Sequence, residues 1–301
     1  MEYKHLVGLD TQTYEHPYDR KVLNMLNGKT GFTAATNAFM NLSYVKWQLV
    51  ALKGGHFQVT PESCESLYAL IKDVANTLDV SPIPEIYTEW KYDINGRTFG
   101  FGDDTLIVFN SGTVDLLTDE ELRFVVGHEF GHIKSGHVIK HMMAQMLNLA
   151  VGAVPVIGNL ADPIKYLLLY WNRLSEFTAD RAGLLACQDI DVALNAIIKV
   201  AGLPYKYFGN NVKESFLKQA ESFSLDLNDL TDKTVKMITI ATSNHPWTVM
   251  RAAELIKWYE SGEYQKIIDA NTPDICIWPD CAKPIPKGAE YCPYCDRKQH
   301  F

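Results

Sequence analysis

His128, Glu129 and His132 form an HExxH within the stretch 118–141, TDEELRFVVGHEFGHIKSGHVIKH. On an α-helix, residues four apart lie one turn above each other on the same face. The imidazoles of His128 and His132 can therefore reach one zinc ion. Glu129 lies about 100° around the helix from His128 at 3.6 residues per turn. Its carboxylate then stands beside the metal, in reach of a proton on a water held there. Zinc in a hydrolase usually has three protein ligands, so a third must come from elsewhere. By composition the best candidate is Glu176, in Ser175-Glu176-Phe177-Thr178-Ala179-Asp180. The competing reading is the ordinary one for a helical glutamate, a solvated surface position. Asp180, one turn on, could accept a hydrogen bond from the second ring nitrogen of a ligand histidine. His137 and His141 extend the helix by further turns. The five-residue step from His132 to His137 leaves the metal face, so both read as structural.

A second cluster lies near the end of the chain. Cys276 and Cys281 enclose four residues, Cys292 and Cys295 enclose two, and ten lie between the pairs. Four thiolates at this spacing resemble a zinc ribbon, a closed structural site. Two disulfides are the alternative, which an intracellular setting disfavours. From Asp274 onward four basic residues face four acidic ones, a balance that disfavours nucleic acid. Trp278, Tyr291, Tyr294 and Phe301 indicate protein contacts, with a partner, a substrate or the catalytic domain. In the last case the ribbon would cover the cleft and keep the enzyme latent. Cys64 and Cys187 sit in apolar helical patterns and read as buried free thiols.

These groups need elements to position them. Thr118 and Glu121 form a T-x-x-E capping box, with Asp119 and Glu120 in the first turn, where the helix dipole favours negative charge. Leu122, Val125 and Val126 supply an apolar face. Residues 1–50 read as mainly helical, with a turn at His16-Pro17 and a helix over 18–27. Thr60-Pro61 starts a helix to Leu78. Glu85–Trp90, Arg97–Phe101 and Thr105–Phe109 have strand chemistry and predict a small antiparallel sheet feeding the metal helix. Asp162-Pro163 opens a helix through Cys187 that holds Glu176 and Asp180. Another runs from His245-Pro246 to Glu260. Leu149–Gly158 is apolar but only ten residues long, against the ~20 a membrane span needs. The region 142–171 is thus a buried hairpin, a flap over the site or a membrane-surface contact.

The three stretches that carry chemistry resemble a gluzincin metallopeptidase of the branch holding the HtpX-type heat-shock proteases and the CaaX prenyl proteases. They are Asn110-Ser111-Gly112 through LLTDEELRFVVGHEFGHIKSGH, then RLSEFTADRAG from Arg173, then Asn244-His245-Pro246 with Arg251. The resemblance covers roughly residues 60–265. It implies zinc bound by His128, His132 and Glu176, with Glu129 as general base and Asp180 orienting His128. It further implies that His245 stabilises the oxyanion and that Arg251 supports the site. Two features depart from the better-known members. No paired transmembrane helices are present. Where the substrate-aligning edge strand often carries Asn-Ala, this chain has Asn95-Gly96-Arg97, so Asn95 is either a substrate-binding residue or a turn residue.

The expected architecture is α+β and mainly α: a zincin-type metallopeptidase domain with a small antiparallel sheet, and a small zinc ribbon. Residues 1–58 form an N-terminal helical segment, 59–268 the metallopeptidase domain and 274–301 the ribbon. The expected function is zinc-dependent endopeptidase in intracellular quality control or regulated proteolysis, with one catalytic and one structural zinc and a protein or peptide substrate. The alternative is a silent peptidase scaffold that binds proteins through its ribbon. Among 301 residues, 47% are hydrophobic and 21% charged, which excludes a disordered chain. The net charge of −8 argues against a nucleic-acid partner. The start, MEYKHLVGLD, lacks a signal-peptide core. The chain therefore reads as cytoplasmic, with possible peripheral membrane contact through 146–160.

Overall fold

The computed structural model describes residues 3–148, 160–209, 211–229 and 247–300. Helices α1 (Thr11–Tyr14), α2 (Pro17–Asn27), α3 (Phe32–Met40) and α4 (Ser43–Gly55) lead to strand β1 (Phe57–Val59). Helix α5 (Glu65–Thr77) and strands β2 (Glu85–Glu89), β3 (Gly96–Phe99) and β4 (Leu106–Asn110) follow. The remaining helices are α6 (Ser111–Leu116), α7 (Asp119–Lys134), α8 (Val138–Asn148), α9 (Asp162–Cys187), α10 (Ile190–Val200), α11 (Val212–Asp229), α12 (Thr248–Glu260) and α13 (Glu263–Asn271). A two-stranded ribbon, β5 (Asp274–Ile275) with β6 (Pro284–Ile285), ends the chain. The fold is mainly helical around one small sheet.

The sheet corrects one expectation. Its order is β1-β2-β4-β3, and β2 pairs with β4 in parallel, so it is mixed rather than antiparallel. The loop after β2 carries β3 past the sheet, and β4 then inserts between them. Strand order is a long-range outcome that local alternation does not encode. The placement explains why Leu106–Phe109 is an unbroken apolar run: a central strand covered on both faces shows no alternation. Ile107 and Phe109 join a core with Ile71, Val74 and Phe124. Leu106 and Val108 face a second core with Phe39, Met143 and Trp171. The N-terminal segment supplies Leu6, Leu9 and Tyr14 to the first core and Val22, Leu26 and Phe32 to the second.

Helix α7 opens with the expected capping box: the Thr118 hydroxyl accepts from the Glu121 amide at 3.3 Å, and the Glu121 carboxylate accepts from the Thr118 amide at 2.8 Å. It ends earlier than the sequence reading. Gly136 adopts φ +67°, the amide of His137 bonds to the His132 carbonyl, and that of Gly136 to the Ile133 carbonyl. This is a Schellman ending, in which glycine takes the left-handed position that other residues avoid. His137 therefore sits in a turn and His141 on α8, and neither extends the metal helix.

Helix α9 runs the full stretch expected of it and lies against α7 through small residues. A Cβ at Gly127 would collide with that of Ala186, and one at Gly131 would come 2.6 Å from that of Ala182. A Cβ at Gly183 would come 2.8 Å from the Phe124 ring. Backbone thus meets backbone where side chains would separate the helices. Among the described residues no helix is long and apolar enough to cross a membrane. The stretch 149–159, expected to be a hairpin, flap or membrane contact, lies outside them. Replacing Gly127 by Ala should overpack this crossing and lower unfolding free energy by about 1–3 kcal/mol. Denaturant unfolding checks this, and unchanged stability would contradict the close approach.

Candidate metal centre and active site

The crossing brings Glu176 to His128 and His132, which lie 48 and 44 positions before it in sequence. His128, His132 and Glu176 are all buried, and each offers one atom within 4.8 Å of the others. The two Nε2 atoms are 3.1 Å apart. Glu176 Oε2 is 3.4 Å from His128 Nε2, and Oε1 is 3.4 Å from His132 Nε2. Donor atoms about 2.0–2.1 Å from a tetrahedral zinc lie about 3.3 Å from each other, so the spacing fits that ion. Three protein donors are also the number found in catalytic rather than structural zinc sites.

The partners of these candidate ligands fit the same reading. His128 Nδ1 lies 3.0 Å from Asp180 Oδ1, which accepts its N–H and leaves Nε2 as a lone pair. Arg251 donates to both Asp180 oxygens, at 2.8 and 2.5 Å. Burial would lower His128, but the Asp180 and Glu176 carboxylates outweigh it and lift its pKa to about 9. Burial would raise Glu176, yet hydrogen bonds from His128 and His132 hold it well below the usual carboxylate range. Asp180 is likewise lowered against its burial by the Arg251 guanidinium. The field between these groups therefore favours a positive charge.

Glu129 is buried beside the ligands and accepts a 2.6 Å hydrogen bond from Thr98 on β3. Gly96, two residues back on the same face, lets the strand approach that carboxylate: a Cβ there would lie 2.9 Å from Glu129 Oε1. This accounts for glycine at the position where the resemblance leads one to expect a different small residue. Asn95 is held by its backbone, its amide donating to the Thr113 hydroxyl at 2.7 Å and its carbonyl accepting from Asn110 at 3.0 Å. The site opens into a cleft of about 770 Å³ with Tyr92, Asn95 and Gly96 on one wall and Lys199, Leu203 and Pro204 among the other lining residues. Among the described residues, none of the ribbon lines it.

Sequence reasoning missed Thr98, whose only local signal is its position two residues after Gly96 in a strand. It also set His137 and His141 aside. His137 Nδ1 is in fact 3.1 Å from His132 Nδ1, and His141 bonds Ser175 at 2.7 Å. His245 lies outside the described residues.

The four cysteines are free thiols brought together by the β5–β6 ribbon. Sγ of Cys276 is 3.8 Å from that of Cys295, and Sγ of Cys281 is 3.7 Å from that of Cys292. Thiolates about 2.3 Å from a tetrahedral zinc lie about 3.8 Å apart, so this cluster fits a zinc ribbon. Lys287 ties the ribbon to the body, donating to the Asp269 carbonyl of α13 at 2.5 Å. Changing Cys292 to Ser should remove one zinc equivalent from the purified protein, as elemental analysis reads it. Changing Asp180 to Asn should weaken zinc at the histidine site about 10–100-fold, and an unaltered affinity would contradict its orienting contact.

Comparison with known proteins agrees with this geometry. The family model described as peptidase family M48 matches residues 61–259. The plastoglobule-localized metallopeptidase 48 of Arabidopsis thaliana chloroplasts is 28% identical over 262 residues, covering 86% of this chain and 76% of that protein. A protease HtpX homolog of Polynucleobacter necessarius is 22% identical over 272 residues, covering 80% of this chain and 91% of that one. Metalloprotease LoiP of Escherichia coli is 29% identical over 107 residues, covering 34% of this chain and 40% of its own length. No solved structure matches. The matched span includes the HExxH helix, the Glu176 helix and Arg251, and with it the chain belongs to peptidase family M48 as an HtpX-like metallopeptidase.

Proposed function

We propose that the protein is a zinc-dependent endopeptidase of intracellular quality control or regulated proteolysis. One zinc is held by His128, His132 and Glu176, and a second, structural one by Cys276, Cys281, Cys292 and Cys295. The observation that carries this is the convergence of three ligand atoms, 3.1–3.4 Å apart, beside a buried glutamate at the floor of a cleft. Six unpaired thiols support a reducing compartment.

Zinc bound there would supply a Lewis acid for a peptide carbonyl and for water. Glu129 is the general base: Thr98 donates to Oε2 at 2.6 Å and holds the carboxylate in place. The carboxylate then takes a proton from the attacking water and returns it to the leaving amine. Asp180, braced by Arg251, keeps the His128 proton on Nδ1. Strand β3 ends the sheet order, so an extended substrate can add to its edge through backbone hydrogen bonds. Asn95, at the head of that strand, is the proposed contact for substrate. His245 is the proposed donor to the oxyanion.

Changing Glu129 to Gln should retain zinc while cleavage of casein or a labelled peptide falls at least about 100-fold. A peptide blocked at both ends should be cut by the unaltered protein and spared when a chelator is added. Full activity of the Gln variant, or no cleavage of the blocked peptide, would refute the reading.

A further inference from the structure

The second metal-binding histidine has a carboxylate behind it as well, reached through another histidine. His132 Nε2 faces Glu176 and His128, and its Nδ1 lies 3.1 Å from Nδ1 of His137. A neutral imidazole carries one ring proton. If Nε2 is to serve as a ligand, the His132 proton must sit on Nδ1 and be donated to His137 Nδ1. The proton of His137 must then sit on Nε2. That atom is fully buried and makes no aligned hydrogen bond among the described residues. The carboxylate facing it, Asp19 Oδ2, is 3.2 Å away.

Asp19 is fully buried and fixed from two sides. Trp171 donates to Oδ1 at 2.7 Å, and the Thr178 hydroxyl donates to Oδ2 at 2.5 Å. It belongs to α2, outside the residues that the family model matches. The start of α2 is docked on α9 beside the ligand glutamate. The His16 amide donates to Thr178 at 3.1 Å, and Arg181 donates to the carbonyls of Tyr14 and Glu15 at 3.2 Å each. Thr178 thus braces Asp19 from the same helix on which Glu176 and Asp180 face the metal site.

We propose that Asp19, acting through His137, is a positioning residue for the metal site: it sets the His132 ring proton on Nδ1 and so presents Nε2 as a ligand atom, as Asp180 does for His128. The N-terminal segment is then a working part of the metal centre. The competing arrangement is a second cation held by His132, His137 and His141, whose ring nitrogens also cluster within 4.8 Å. One shared proton between the two Nδ1 atoms accounts for their 3.1 Å separation without it.

The proposal rests on the zinc-ligand reading above, and the test separates the two. Zinc alone is titrated against a chelator into the full chain, and binding is read from the imidazole nitrogen resonances of His128 and His132. Asp19→Asn turns an acceptor into a donor facing His137 Nε2. That reverses the ring protons, placing one on His132 Nε2, and affinity should fall about 10–100-fold. His137→Ala removes the relaying ring and should itself lower affinity, and adding Asp19→Asn to it should cost nothing more. An unchanged affinity for Asp19→Asn, or an equal loss in both backgrounds, would overturn the relay. Should Asp19→Asn fail to fold, the zinc-loaded unaltered chain decides: the His137 proton on Nε2 supports the relay, and on Nδ1 it overturns it. A third zinc equivalent would also overturn it. Absence of any zinc response at His128 and His132 in the unaltered chain would instead sink the metal centre itself.

Discussion

The close crossing of α7 and α9 is the constraint on which the rest of the structure depends. Gly127 and Gly131 on one helix meet Ala179, Ala182 and Ala186 on the other with no room for an added methyl. Only at that separation can Glu176 and Asp180 on α9 reach the imidazoles of α7. The crossing also removes these groups from water, and buried charge is costly unless paired. Glu129, Glu176 and Asp180 bring three carboxylates, against which Arg251 sets one guanidinium. A dication is the complement of that excess. The packing and the convergence of these side chains are thus two consequences of one helix contact.

The surrounding elements hold this contact in register. Strand β4, buried on both faces, lies between the two cores and carries β3 against Glu129. The Thr118–Glu121 cap begins α7, and Lys199 of α10 reaches the same Glu121 carboxylate at 2.6 Å. Arg123, further along α7, pairs with Asp73 of α5 at 2.6 Å. The metal helix is therefore fastened at its start and along its back. Its end is free to turn sharply at Gly136, which places His137 behind His132. The ribbon is tied to α13 through Lys287, and none of its described residues lines the cleft.

What was legible in the sequence was what local rules write. The HExxH spacing, the capping box, the Asp162-Pro163 helix start and the cysteine spacing each depend on residues a few positions apart. Glu176 and Asp180 share a helical face by the same rule, but linking that face to His128 required the family resemblance. The misses have physical causes. Gly136 is a single residue whose left-handed conformation ended a helix that periodicity extended to His141. The parallel pairing of β2 with β4 depends on a long connection. Thr98 and Gly96 matter because a strand 31 residues upstream of Glu129 folds against α7. No local pattern announces such an encounter.

The geometry calls for one divalent ion between His128, His132 and Glu176. Crystals of the zinc-loaded chain, measured on either side of the zinc absorption edge, would locate it. The expected result is an anomalous peak about 2.0–2.1 Å from both Nε2 atoms and from a Glu176 oxygen, with a separate peak among the four sulfurs. No peak at the histidines, or one bound there by other side chains without Glu176, would contradict it.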